Sequence, residues 1–180
     1  IDEVDPNGFA PDLDMKAVCE YANSQGIGMI LYVNDRHLFD TFGRYTVDEL
    51  FARFKEWGAA GVKPGFVQCR DQKYEKRLRE MIEAAAKYQL VLTIHDEYVT
   101  TGIERTYPNC LTTEGILGDE GIGREGNPQV AEDISALFTR PIQGPTDHTF
   151  CYPGKATKTY ALASSLLFRT GLQSLYWYGN

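Results

Sequence analysis

What this chain has little of narrows its class. Its four cysteines, Cys19, Cys69, Cys110 and Cys151, stand far apart with no CxxC pair and no Cys/His clip. A zinc site of the usual spacing is thereby excluded, and the thiols read as free, half-buried side chains, with disulfide pairing the alternative that spacing leaves open. No apolar run approaches the roughly 18 residues of a spanning helix, and the first residues, IDEVDPNGF, lack the basic and apolar regions of a signal peptide. Basic residues are too few for a nucleic-acid groove: 18 Lys and Arg stand against 25 Asp and Glu, a formal charge of −7, whereas phosphate neutralisation needs clustered cations. A neutral or cationic ligand, or a metal ion, suits this surface. No linker or low-complexity stretch divides the 180 residues, of which 43% are hydrophobic, enough for one sizeable core. The chain opens on Ile1 rather than Met, as a fragment or processed product would.

What is present is a regular alternation of helix-like and strand-like segments. Asp14 to Ser24 reads as a helix with Ala17, Val18 and Tyr21 on one face, closed by Gly26. Ile27 to Val33 (IGMILYV) is a continuous apolar run, the mark of a strand buried on both faces of a parallel sheet. The unit then repeats. Thr46 caps a helix through Trp57, with Glu49 completing a capping box and Val47, Leu50, Phe51 and Phe54 at helical spacing. Val62 to Val67 is the next strand, Asp71 to Tyr88 a helix with Leu78, Met81, Ile82 and Ala85 inward, and Leu90 to Ile94 the strand after it. Helices are expected over Val130–Phe138 and Thr157–Arg169, an irregular strand near Thr106–Leu111, a stub at Ile1–Val4 and a closing strand at Ser174–Tyr178.

Polar residues gather at the carboxyl ends of these strands: Asn34-Asp35, Gln68, His95-Asp96-Glu97 and Tyr178. An α/β protein so arranged is expected to be a (β/α)8 barrel, here an incomplete one, since a closed barrel typically needs about 250 residues. Residues 1–180 then form one partial catalytic barrel. The stretch between Tyr98 and Pro128 has little periodicity and reads as a long functional loop.

Chemistry concentrates in IHDEYVTTGIERTYPNCLTTEGILGDE, which carries His95, Asp96, Glu97, Glu104, Glu114, Asp119 and Glu120. Glu114 and Glu120 are separated by a glycine-containing turn, so both can reach one centre, and with Asp96 they supply three carboxylates to a calcium ion, which takes six to eight oxygens. As solvated loop charges the same acids would carry no function. His95 emerges where an apolar strand ends; beside two acids it is a substrate or proton contact, or a histidine satisfied by a backbone carbonyl. Arg105 can orient carboxylates through its guanidinium fork, or form a structural salt bridge. Lys63, inside the apolar GVKPGFV strand, needs an anionic or hydroxyl partner because an unpaired buried ammonium is costly.

These residues carry a resemblance. HDEYVTTGIERTYPNCLTTEGILGDE and LFTRPIQGPTDHTF, with GVKPGFV, YANSQGIGMILYVN and LQSLYWY, make nearly the whole chain similar to the catalytic barrel of glycoside hydrolase family 97, bacterial calcium-dependent α-glucosidases and α-galactosidases. The resemblance implies a barrel from about its second to its eighth strand, a flanking β-sandwich domain that supplies one calcium ligand, α-linked oligosaccharide or glycoside substrates, and a periplasmic or secreted location. It implies that Glu120 is the general acid, that Asp96, Glu114 and Glu120 surround calcium, and that Lys63 and His95 meet sugar hydroxyls, with Arg105 beside them. The isolated piece is expected to be inactive.

Two departures from the family pattern bear on mechanism. Gly65 stands where retaining members place a nucleophilic aspartate, and Asn34-Asp35 stands where inverting members use a second glutamate. The resemblance therefore favours an inverting route, with Glu120 as acid and Asp96, Glu97 or Asp35 as base, Asp96 foremost. In such a route two carboxyl groups roughly 6.5–9.5 Å apart leave room for the attacking water. The other reading is a catalytically degenerate carbohydrate-binding barrel that keeps the calcium site. A sugar-phosphate enzyme or aldolase is disfavoured, because Lys63 is the only strand lysine and GPTDHTF is no phosphate loop.

Overall fold

The computed structural model describes residues 13–35, 45–69, 71–98, 100–121, 129–151 and 157–175. Helix α1 (Met15–Ser24) is capped by Asp14, whose carboxylate accepts from Ala17 N, and Gly26 follows its end at a positive φ. Its inward residues are Cys19 and Ala22, whereas Tyr21 is 71% exposed. The face is thus rotated from the one expected on Ala17, Val18 and Tyr21. Strand β1 (Ile30–Asn34) starts later than the apolar run, and Ile27 is exposed.

Helix α2 (Val47–Glu56) has the full capping box: Glu49 N donates to Thr46 Oγ1 at 3.2 Å while Thr46 N donates to Glu49 Oε2 at 2.9 Å. Val47, Leu50, Phe51 and Phe54 are its buried face. Strand β2 (Gly61–Gly65) is buried throughout. Helix α3 (Gln72–Lys87), capped by Asp71, turns Leu78, Met81, Ile82 and Ala85 inward, and β3 (Val91–Ile94) follows.

The expected long loop is not structureless. It carries a 3₁₀ turn at Ile103–Arg105, strand β4 (Cys110–Thr113) and a second 3₁₀ turn at Gly118–Gly121. The irregular strand therefore lies some residues later than Thr106–Leu111. Helices α4 (Gln129–Leu137) and α5 (Lys158–Leu167, capped by Thr157) complete the regular elements among the described residues. The stub at Ile1–Val4 lies outside the described residues, as do Tyr178 and most of the closing strand, of which Leu175 bridges Phe150 in parallel.

The four strands form one parallel sheet in the order β1-β2-β3-β4. Tyr32 pairs with Lys63, Asn34 with Gly65 and Thr93 with Thr112, and Thr113 bridges Thr146 in parallel. Side chains alternate across a strand. Leu31, Val33, Val62, Leu92 and Ile94 join Phe51, Phe54, Leu78, Met81 and Ile82 in the core between sheet and helices. The alternate positions, Tyr32, Asn34, Lys63, Gly65 and Thr93, therefore face the other way, and this second face is polar. It is the reason β1 is not apolar on both sides: Ile30 and Tyr32 are only half-buried. Among the described residues no helix is long and apolar enough to cross a membrane.

Candidate active site

The polar face ends in a cluster at the carboxyl edge of β2, β3 and β4. Backbone hydrogen bonds hold the three strand ends together: His95 N donates to Pro64 O at 3.0 Å, Glu114 N to Ile94 O at 2.9 Å and Gly115 N to Asp96 O at 2.9 Å. His95 and Asp96 are therefore gripped from both sides. Asp96 sits in the left-handed region at φ 66, a conformation that aspartate tolerates better than most residues and that marks a locally constrained site. Its N–H donates to Glu114 Oε2 at 2.5 Å, and its Oδ2 accepts from Val67 N at 3.3 Å.

His95 lies between two acids. Its Nδ1 is 2.6 Å from Glu114 Oε2 and its Nε2 is 3.6 Å from Glu120 Oε1. Burial by itself would lower the imidazole pKa, but the Glu114 and Glu120 carboxylates outweigh it and hold His95 up at about 10. Burial pushes the Glu114 carboxyl upward, opposed by His95. The donor atoms of His95, Glu114 and Glu120 all lie within 4.8 Å of one another. Two carboxylates there, with Asp96 lining the same pocket, fit a hard cation; the imidazole nitrogen is its least typical partner.

Asp96, Glu97, Glu114, Gly115, Ile116, Leu117 and Glu120 line one pocket of about 430 Å³. The structure thus brings Asp96, Glu97, Glu114, Glu120 and His95 together. Glu97 is exposed, and its Oε2 accepts from Cys69 N at 3.3 Å. Lys63 has the partners its burial demands: Nζ is 2.8 Å from Ser174 Oγ and 3.5 Å from Asp147 Oδ2. Arg105 is exposed on its 3₁₀ turn and is not among the residues lining this pocket. Asp35 is ion-paired with Arg77. All four cysteines are free thiols, three of them buried.

A second polar cluster went unread in the sequence. His148, fully buried, packs in tilted contact with both Phe150 and Phe168, ring centroids 4.6 Å from each. Its Nε2 is 2.9 Å from Asp133 Oδ2, its Nδ1 is 3.7 Å from Asp119 Oδ1, and Tyr160 Oη donates to Asp133. Asp119 also accepts from Cys151 N at 3.3 Å. These contacts anchor the turn that carries Glu120. Beside them Asp147 accepts from Thr149 N, Ser174 N and Ser174 Oγ. The one sequence signal for this cluster was the polar run TDHT inside an otherwise apolar setting.

An α/β protein with a parallel sheet and acids converging on a strand-end pocket is defined by these features. Comparison places it further. The sequence model of the family described as Glycoside hydrolase 97 matches residues 2–116, and the chain belongs to that family. It is 32% identical over 141 residues to a retaining alpha-galactosidase of Bacteroides thetaiotaomicron, a match covering 77% of this chain and 20% of that protein. It is 28% identical over 176 residues to a probable retaining alpha-galactosidase of Streptomyces bingchenggensis, covering 94% and 26%. The chain therefore spans a fifth to about a quarter of these curated relatives. In fold it resembles a variant of a family 97 enzyme from Pseudoalteromonas sp. solved with panose, with a TM-score of 0.78 at 21% identity over 92% of this chain and 30% of that one. It also resembles a beta-arabinopyranosidase, with a TM-score of 0.70 at 19% identity over 89% and 30%.

Proposed function

We propose that the parent protein hydrolyses α-glycosidic bonds of galactosides or glucosides, with residues 1–180 supplying most of a (β/α)8 catalytic barrel. The single observation that carries this reading is the pocket in which Asp96, Glu97, Glu114 and Glu120 converge at strand ends, in a chain of this family. Glycoside hydrolysis needs one carboxyl to protonate the leaving oxygen and a second carboxyl group on the other side of the sugar. Glu120 is the acid and Asp96 the foremost base. His95 and Lys63 bind sugar hydroxyls, and the protein works in the periplasm or as a secreted enzyme beside a β-sandwich domain.

The two relatives are named as retaining enzymes, whereas the reading here is single displacement. Its support is that Gly65 carries no side chain and Asn34 is an amide, so neither strand end offers a nucleophile. Glu114, Glu120 and Asp96 would hold calcium, which when bound offsets charge developing in the reaction. The chain's own groups do the rest: Glu120 gives its proton to the departing oxygen, Asp96 takes one from water, and the Glu114 contacts to His95 Nδ1 and Asp96 N keep those two side chains in place.

The test is proton NMR of the anomer first released by the full-length protein from aryl α-galactosides and α-glucosides, with and without chelator. Calcium-dependent release with the β-anomer first supports the reading. The α-anomer first overturns single displacement, and no release at all favours the degenerate binding barrel.

A further inference from the structure

Tyr32 occupies the space in which a side chain at position 65 would have to lie. The two residues stand on adjacent parallel strands and on the same polar face, where Asn34 pairs with Gly65 and Tyr32 with Lys63. A Cβ built on Gly65 would come within 2.6 Å of Tyr32 Cε2 and nearer still to its Cζ and hydroxyl oxygen. The obstacle is the phenol end of the ring, hydroxyl oxygen and Cζ foremost, and because the ring is rigid a side chain at position 65 fits only if the whole of Tyr32 swings to another rotamer. The ring is itself placed edge-on to the His95 imidazole, 6.5 Å between centroids at 73°. It thus stands beside the His95–Glu114–Glu120 group.

We propose that Tyr32 commits this site to single displacement: its phenol fills the volume that a nucleophilic carboxylate borne by β2 would need. The inference rests on the glycosidase reading above and deepens it. A double displacement requires a carboxylate about 5–5.5 Å from the acid. The residues at the ends of the four strands on this face are Asn34, Gly65, His95 and Glu114, of which only Glu114 is an acid; Asp96, one residue beyond His95, has its Oδ2 held by Val67 N at 3.3 Å and is the base of the reading above. The Glu114 Oε2 is already engaged by His95 and by Asp96 N. The end of β2 is where a nucleophile could stand, and the ring excludes it. Tyr32 is in this sense a positioning residue that decides the stereochemical course.

The experiment uses the full-length protein. In a Tyr32→Gly variant the emptied space admits azide. Azide nitrogen then bonds to the anomeric carbon from the face opposite the aglycone, the carbon–oxygen bond to the aglycone breaks, and that oxygen takes the proton of Glu120. The product is a β-glycosyl azide, expected at least about tenfold above the wild-type level. Tyr32→Phe keeps the ring and is expected to release the β-anomer without azide product; loss of turnover in that variant alone would make the phenol itself the nucleophile and overturn the proposal. A readout free of catalysis accompanies this. Gly65→Ala is expected to lower Tm by about 2–4 °C with Tyr32 present and by little in the Tyr32→Gly background. Equal Tm losses in both backgrounds, or equal azide product in both, sink this inference while leaving inversion by the wild type standing. A wild type that releases the α-anomer first, or nothing, overturns both readings together.

Discussion

Asp35 Oδ1 lies 3.1 Å from Arg77 Nη2, with the two side chains 7% and 11% exposed. The pair joins the end of β1 to helix α3, and it gives Asp35 a structural partner in place of a water molecule to activate. Asp35 was one of three acids able to serve as base; its pairing leaves Asp96 and Glu97, which line the pocket.

The first prediction follows from that pair. Removing one partner leaves the other charged and buried, which costs about 3 kcal/mol. Asp35→Asn and Arg77→Met should each lower the stability read by chemical denaturation by roughly that amount. The acid limb of the pH–rate profile should survive in Asp35→Asn. Its disappearance would return Asp35 to the role of base.

A second prediction concerns His148. Its ring links Asp133 at 2.9 Å to Asp119 at 3.7 Å, and Asp119 adjoins Glu120. His148→Leu leaves two buried carboxylates without their shared partner, a loss of about 3 kcal/mol. It also loosens the turn that aims the acid, so kcat should fall about tenfold or more with little change in KM. His148→Gln, which keeps a hydrogen-bonding group, should recover part of both. A KM effect without a kcat effect would show that the turn is held by other contacts.

How far the sequence revealed this arrangement depends on which period carried the signal. Helical spacing was decisive in α2 and α3, where Leu50, Phe51 and Phe54, the Thr46–Glu49 box, and Leu78 with Met81 and Ile82 all lie where the pattern put them. In α1 it was not: the short apolar pattern pointed to Tyr21, while Cys19 and Ala22 are the residues buried. Strand periodicity was not decisive either, because IGMILYV is apolar at every position and hides a period of two. Tyr32 was absorbed into that run, although it faces the polar side opposite Leu31 and Val33. The acids of the site were legible because His95, Asp96, Glu114 and Glu120 cluster in sequence as they do in space. Asp133, His148 and Tyr160 meet across helices α4 and α5, and no local spacing announces that encounter.

Cys69, whose N–H donates to Glu97 at the rim of the pocket, offers a test of pH behaviour by thiol chemistry. Burial, then the charges of Glu75 and Glu97, raise its thiol to about 12. A raised thiol pKa keeps the protonated form dominant until the pH approaches that value, and only the thiolate reacts. At pH 8, iodoacetamide should therefore modify Cys69 on the order of a thousandfold more slowly than free cysteine. Buried Cys110, also raised to about 12 by burial, should react no faster. Rapid labelling of Cys69 in the native protein would mean that its surroundings open.

The last prediction isolates the acid. Glu120 is only partly buried, with its Oε1 3.6 Å from His95 Nε2, and it faces the same pocket as Asp96. General acid catalysis typically contributes about 10²–10⁴-fold, and most when the leaving group is a poor one. Glu120→Gln keeps the size of the side chain and removes the transferable proton. Turnover of substrates with alkyl or sugar leaving groups should fall by that factor, whereas glycosides of acidic phenols, which depart unaided, should lose much less. The comparison is a plot of log kcat/KM against leaving-group pKa, expected to be steeper in the variant than in the wild type. Parallel lines would mean that Glu120 supports the site in some way other than proton donation, and Glu97, on the rim of the same pocket, would become the acid to test.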